Sequence, residues 1–361
     1  MSDILFAYGP LGDELVRSRL FGNAGLRAAP ARLRGFALVE ANGWPAPRLG
    51  ACLGAGAVPG ALFAMPGRAK AEALATLLGP AREMTVDTDA GPRDACVFGR
   101  DGRGPAWDSG AWAANGRAVF LDMLDELLEM GDAGQPGGLL RRAVAREAAR
   151  QGGPVRLRSS FGAEAIDWQA RERLHAGFFT LDRHRYRQKQ FDGGYSDTVV
   201  REVFYIGDSV TVLPWDPATD RVLLIEQMRA GLVARGDPNP LNLEVVAGLR
   251  DRVETPEETA RREAREEAGL ELGRMVRIGA YYPSPGAVTE FITGFIAEAD
   301  LSRKTEGVHG LDAEHEDIRT LILPRAEAMA ALDTGEARNA PLMVSLYELE
   351  RRRAALARDW R

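Results

Sequence analysis

The stretch that most constrains what this chain can fold into is GLRDRVETPEETARREAREEAGL, residues 248–270. It reads as a loop leading into one short, acidic helix. Thr255 is an N-cap residue, Pro256 suits the first helical position, and Glu258, three residues after the cap, completes a capping box. Gly269 is the natural stop, because glycine enters the left-handed region without a Cβ clash. Glu263 and Glu267 are four residues apart, which puts both carboxylates on one helix face with Glu266 beside them. Like charges at that spacing repel, so a helix that keeps them needs a cation between them. Carboxylate oxygens without nearby Cys or His point to a hard ion such as Mg²⁺. Arg262 is placed to pair with Glu266 one turn on, or to reach back to Glu254, and so to hold one carboxylate in position. The competing reading is a solvated surface helix, the usual fate of a Glu/Arg-rich segment.

A chain of 361 residues with 45% apolar content is long enough for two domains, each with its own core. A net charge of −6 argues against a general nucleic-acid binder. No apolar run approaches the length of a membrane span, and the opening MSDILFAYG lacks the basic start and long apolar stretch of a signal peptide. Cys52 and Cys96 offer neither a disulfide framework nor zinc-ligand spacing, which fits ordinary packing in a reducing cytoplasm. The expectation is therefore a cytoplasmic protein with no nucleic-acid and no membrane partner.

Taken in order, ILFAYGPLG reads as a buried strand running into a Gly/Pro loop, and VPGALFAMP as a second strand. Residues 117–151 are helical in pattern, with Val119, Met123, Leu124, Leu127 and Leu128 on one stripe, and residues 152–168 lose periodicity as a linker would. From Arg173 onward strands dominate. GFFTLDRHRYRQKQF, TVVREVFYIGDSVTVLPWDP and ATDRVLLIEQMRAG precede LNLEVVAG, the strand that delivers the acidic helix. MVRIGAYYPSPG and TEFITGFIAEA follow, and RAEAMAALDTG and APLMVSLYELERRRAALARD close the chain as helices. The basic run Arg351 to Arg353 reads as a solvated helix face.

The 248–270 segment resembles the Nudix box residue by residue: Gly248, Glu254, Arg262, Glu263, Glu266, Glu267 and Gly269 fall in register, with Leu270 as the apolar end. Ala264 fills a position where the pattern more often has a larger aliphatic residue, a difference of packing and not of chemistry. SPG at Ser284–Gly286, with Pro285 fifteen residues past Leu270, together with GFFTLD, VREVF, LPWDP, IEQMR and GVHGLDAEHEDI, is similar to the bacterial ADP-ribose pyrophosphatase group of that family. The resemblance implies Mg²⁺, or Mn²⁺ in its place, on Glu263, Glu267, Glu316 and the carbonyl of Ala247. It implies Glu314 as the base or water-orienting group, with Glu266 and Arg262 in the catalytic box. Substrate contacts implied are Arg201 and Arg229 on the diphosphate and terminal ribose, Phe178 or Phe179 on adenine, and Glu290 closing the SPG loop. His309 and His315 receive no ligand role, since magnesium has little use for imidazole. A strand-exchanged homodimer is implied as well.

The opening unit resembles the γ-glutamylcyclotransferase-like fold through Tyr8, Gly9, Pro10 and Leu11 and through Gly60, Ala61, Leu62 and Phe63. That family's catalytic glutamate aligns with Leu78, which cannot accept a proton from an amine, so an inactive domain is expected. Glu72 and Glu83 lie nearby in sequence. The fold expected is thus α+β: residues 1–110 a small γ-glutamylcyclotransferase-like β-barrel with helices, 111–170 a helical connector and linker, and 171–361 a Nudix α/β/α sandwich with a mixed sheet. The function expected is Mg²⁺-dependent hydrolysis of ADP-ribose, a small-molecule nucleoside diphosphate substrate, to AMP and ribose 5-phosphate. The alternatives are another nucleoside diphosphate sugar, a sensor that binds without cleaving, or a bifunctional protein with an active first domain. A sensor would be expected to lose box carboxylates, and this chain keeps them.

Overall fold

The computed structural model describes residues 2–22, 28–52, 56–131, 134–153, 156–159, 161–311 and 315–360. The chain divides into two compact units, Met1–Ile206 with Asp251–Val253, and Gly207–Arg250 with Glu254–Arg361.

The first unit opens with β1 (Ile4–Ala7) and α1 (Glu14–Phe21), then β2 (Ala29–Arg34), β3 (Phe36–Val39), β4 (Arg48–Ala51), β5 (Ala57–Ala64), α2 (Arg68–Leu78), β6 (Ala81–Thr88) and β7 (Gly91–Phe98). Strands β1, β5, β2, β6 and β7 form a closed barrel, and β3 pairs with β4. A short turn α3 (Ser109–Ala111) leads to α4 (Arg117–Met130) and α5 (Pro136–Arg150), the two helices read from the Met/Leu stripe. Val119, Met123, Leu124 and Leu127 of that stripe are buried in a core shared with Leu74, Leu77 and Leu78 of α2. A three-stranded antiparallel sheet follows, β10 (Val199–Tyr205), β9 (Thr180–Gln188) and β8 (Ile166–Ala176). The compact division falls after Ile206. The sheet groups with α4 and α5, where Glu126 on α4 pairs with Arg173 on β8 and Arg142 on α5 donates to Thr180 on β9. Those partners are too far apart in sequence for periodicity to reveal.

The second unit carries β11 (Ser209–Asp216), β12 (Arg221–Met228), α6 (Ala230–Arg235), β13 (Leu241–Glu244), β14 (Val246–Leu249), α7 (Pro256–Ala268), β15 (Met275–Tyr281), β16 (Ile292–Glu298), β17 (Val308–His309), β18 (Ile318–Pro324), α8 (Arg325–Thr334) and α9 (Ala340–Asp359). The main sheet runs β15, β16, β11, β12, β18, β17, with β11 parallel to β16 and the other pairs antiparallel. Alternate residues of β12 bury on opposite faces: Leu223 and Ile225 pack toward the α7 core, and Val222 and Leu224 toward α8 and α9. That two-sided burial makes the layers α/β/α. LNLEVVAG reads as one strand in sequence but splits at Val245. Its first half pairs with β12 and its second with β11.

Candidate active site

Helix α7 begins as its sequence requires. Thr255 accepts from the Glu258 N–H, Glu258 reaches back to the Thr255 N–H, and Gly269 ends the helix at φ +53. Ala260, Ala264 and Ala268, four residues apart, are fully buried against the sheet. The small side chain at Ala264 is therefore a packing residue, and it lets the helix lie close to β11 and β14.

Closeness is what builds the site. Gly248, on β14, lies under Glu263, and a Cβ there would fall 1.9 Å from the Glu263 carboxyl carbon. Glycine is required for that approach. One residue earlier on β14, the Ala247 N–H donates to Glu267 Oε2 at 2.9 Å. Glu267 is 2% exposed. Burial pushes its carboxyl well above the usual carboxylate range; the Ala247 N–H and Arg229 pull it back, while Glu263 and Glu316 add to the rise.

Arg262 makes both of the contacts read from sequence and a third. Its Nε donates to Glu254 at 3.1 Å, and its Nη1 to Glu263 at 2.6 Å and Glu266 at 2.9 Å. One guanidinium thus holds three box carboxylates in a fixed arrangement. Glu316 packs over Gly310, where a Cβ would fall 2.6 Å from the Glu316 Cβ, and accepts from the Leu311 N–H at 3.2 Å. Glu314 lies outside the described residues.

Glu290 accepts from the Ser209 hydroxyl; burial raises its carboxyl, and Ser209 and Arg229 counter the rise. Arg229 forms a two-pronged pair with Glu244, Nε to Oε1 at 2.9 Å and Nη2 to Oε2 at 2.6 Å. Phe178, Phe179 and Arg201 belong to the first unit. There the Arg141 guanidinium lies 4.3 Å over the Phe178 ring, Phe179 packs on Phe204, and the exposed Arg201 donates to the carbonyl of its neighbour Val200. The structure therefore brings together Ala247, Gly248, Arg262, Glu263, Glu266 and Glu267, keeps Arg229 and Glu316 within electrostatic range, and places Phe178, Phe179 and Arg201 in the other compact unit.

Ser209, Asn242 and Glu244 carry no mark in the sequence reading. The signal was present in β13, whose buried positions are the polar Asn242 and Glu244 and whose less buried ones are Leu241 and Leu243. A strand with its polar face inward has a reason to bury charge.

The donors suit a hard divalent cation in kind. They are oxygens only, and Glu267 is buried beside other carboxylates, an arrangement that is costly without a positive charge. Among the described residues, no three acidic, histidine or cysteine side chains are close enough to chelate one ion. Glu263 is turned toward Arg262.

The first unit contains a cavity of about 570 Å³, lined by Tyr8, Gly9 and Leu11 and by Gly60, Ala61 and Phe63. The two motif pieces meet because β1 and β5 pair with Phe6 opposite Leu62 and Ala7 opposite Ala61. Asp13 is on the cavity lining, while Glu72 is exposed and paired with Arg68, and Leu78 is buried in the core.

The NUDIX domain signature matches residues 206–346. The chain is 38% identical to the ADP-ribose pyrophosphatase of Escherichia coli (strain K12) over 207 residues, 57% of this chain and 98% of that protein. It is 34% identical to the ADP-ribose pyrophosphatase of Haemophilus influenzae over 56% of this chain and 93% of that protein. It is 33% identical to the GDP-mannose pyrophosphatase of Pectobacterium atrosepticum over 54% of this chain and 96% of that protein. The chain belongs to the Nudix family, and it is an enzyme of the Nudix hydrolase class.

Proposed function

We propose that this protein hydrolyses the diphosphate of ADP-ribose to AMP and ribose 5-phosphate, with Mg²⁺, or Mn²⁺ in its place, held by Glu263, Glu267, Glu316 and the Ala247 carbonyl. The observation that carries this reading is the pair Glu263 and Glu267 pressed onto Gly248 and Ala247, in a chain so similar to an ADP-ribose pyrophosphatase along nearly all of that protein's length.

A divalent cation, when bound, offsets charge building on the leaving phosphate and makes water a better nucleophile at neutral pH. The chain's own residues do the rest. Arg262 fixes Glu263 and Glu266 before substrate arrives, so little reorganisation is left for the reaction. Arg229 stays charged at any working pH and can offer paired N–H donors to phosphate oxygens. Glu290, an acceptor held by Ser209, suits a ribose hydroxyl. Water adds to one phosphorus, the bridging P–O bond breaks, and the bridging oxygen leaves with the other phosphate. Glu314 is assigned by resemblance as the base that takes the water proton.

Product analysis tests the reading. The protein with ADP-ribose and Mg²⁺ should release AMP and ribose 5-phosphate in equal amounts, and intact ADP-ribose after long incubation would end it. The GDP-mannose pyrophosphatase relative favours a second reading, another nucleoside diphosphate sugar. Ranking such sugars by kcat/KM decides between the two.

For the first unit we propose a γ-glutamylcyclotransferase-like barrel without that chemistry, supported by the motif residues around its cavity and by the apolar Leu78. Release of 5-oxoproline from γ-glutamyl amines would overturn this. A homodimer is proposed as well, supported by exposed Trp168 and Val200 on the three-stranded sheet. Sedimentation as a monomer at micromolar concentration would remove it.

A further inference from the structure

The β12–β13 pair ends in an unusual arrangement. In register, Gln227 faces Asn242 and Ile225 faces Glu244. Asn242 and Glu244, two residues apart, point to the same buried face. Arg229 lies just beyond β12, its backbone N–H donating to the Pro240 carbonyl, and its side chain runs back along the strand to Glu244. The Glu244 carboxylate then takes three hydrogen bonds, two of them from Arg229. Oε1 accepts from Arg229 Nε at 2.9 Å and from Asn242 Nδ2 at 2.6 Å, and Oε2 accepts from Arg229 Nη2 at 2.6 Å. Glu244 is 4% exposed while the Arg229 side chain is 41% exposed. One edge of the guanidinium is pinned in the protein, and Nη1 takes no part in that pair. Arg229 also lies within electrostatic range of Glu267 and Glu316, the carboxylates of the proposed cation site.

We propose that Glu244, steadied by Asn242, is a positioning residue that fixes the Arg229 guanidinium for the substrate diphosphate. This inference rests on the functional reading above for the role of Arg229. Its physical basis is preorganisation. A free arginine side chain has many rotamers and loses conformational entropy when a ligand freezes it. A fork already fixed on two of its three nitrogens presents its remaining N–H groups without that loss, and their direction is set in advance. The Glu244 carboxylate is neutralised by the Arg229 guanidinium and takes three hydrogen bonds, which separates it from Glu267 on α7, whose hydrogen-bond donor is a backbone N–H. The bland alternative is a buried ion pair that only holds β13 in place.

A double-mutant cycle separates the two. Glu244→Gln keeps the volume and removes the charge, so it should lower kcat/KM by about tenfold, mostly in kcat, with only a modest fall in thermal midpoint because the Arg229 side chain, unlike Arg142, is partly exposed. In an Arg229→Ala background the same substitution should change kcat/KM by less than about twofold, because there is no guanidinium left to place. Asn242→Ala, which removes one hydrogen bond and leaves both charges, should show the same coupling at smaller size and serves if Glu244→Gln does not fold. Equal losses from Glu244→Gln with and without Arg229, or no loss with Arg229 present, would overturn the proposal. If the wild-type protein does not cleave ADP-ribose, the functional reading fails by itself, and the cycle is run on the nucleoside diphosphate sugar it does cleave.

Discussion

Two regions of this molecule bury charge, and they do it in opposite ways. In the first unit, Asp122, Glu126 and Asp182 are met by the guanidiniums of Arg142, Arg146, Arg150, Arg171 and Arg173. Burial pushes the Glu126 carboxyl up, but the attraction and hydrogen bond of Arg142, with Arg146 and Arg173 behind it, bring it down to about 2. In the second unit Glu267 is as deeply buried, its hydrogen-bond donor is a backbone N–H, and the carboxylates around it push it further from ionisation. Matched burial holds elements together, whereas unmatched burial stores a demand for something positive. Depth alone would not have told the two apart.

The comparison is broken most directly by substituting Glu267. Glu267→Gln keeps the shape and an acceptor for Ala247 while removing a charge and an oxygen donor. Turnover of ADP-ribose should fall by about 10²–10³-fold, roughly 3–4 kcal/mol of transition-state stabilisation. The thermal midpoint measured without added metal should hold or rise, because the substitution removes an unmatched buried charge. Unchanged kcat would end the metal assignment, and a collapse in the midpoint would show that Glu267 is a structural charge like Glu126.

The same substitution in the first unit should have the opposite effect on stability. Glu126→Gln leaves Arg142, Arg146 and Arg173 without their shared carboxylate and should cost about 3 kcal/mol in unfolding free energy, read by urea denaturation. Acid should act on the same pair. A carboxyl whose folded pKa is depressed stabilises above its unfolded value, near 4.5, and that stabilisation is lost as pH falls toward about 2. The first unit should therefore weaken between those limits, and Glu126→Gln should flatten that part of the pH–stability curve. A curve identical to wild type would place the ionic network outside the folding balance.

Much of the acidic site was legible because its information is local. Thr255, Glu258, Glu263, Glu267 and Gly269 lie within a few helical turns, so capping rules and the one-turn spacing of carboxylates describe them without any knowledge of the sheet. The Glu126 network was not legible, because its members come from α4, α5, β8 and β9, and the helical stripe accounts for the leucines while leaving Asp122 and Glu126 as apparent surface charges. The barrel shows the same limit. Its strands β1 and β5 could be read from their apolar runs, but β6 and β7 are a hairpin of mixed residues, AREMTVDT and GPRDACVF, whose strand character comes from pairing with each other. Glu244 falls between these cases, since inverted polarity on β13 marked an anomaly and only the pairing register showed that its partner is Arg229.

The smallest effect sharpens the comparison inside one helix, by separating what α7 needs in order to form from what it needs in order to react. Thr255→Ala removes the side-chain acceptor for the Glu258 N–H and leaves the return contact from Glu258 to the Thr255 N–H, so half of the capping box survives. The loss should be about 1 kcal/mol, a fall of roughly 2–4 °C in thermal midpoint for a unit of this size. Glu263 and Glu267 lie two and three turns further on, held by Arg262 and Ala247 and not by the cap, so kcat at a temperature well below the midpoint should stay within about twofold. A large drop in kcat with a small drop in midpoint would mean that fraying at the first turn reaches the carboxylates. The geometry of the site would then depend on the helix as a whole, and not on the local contacts that pin each glutamate.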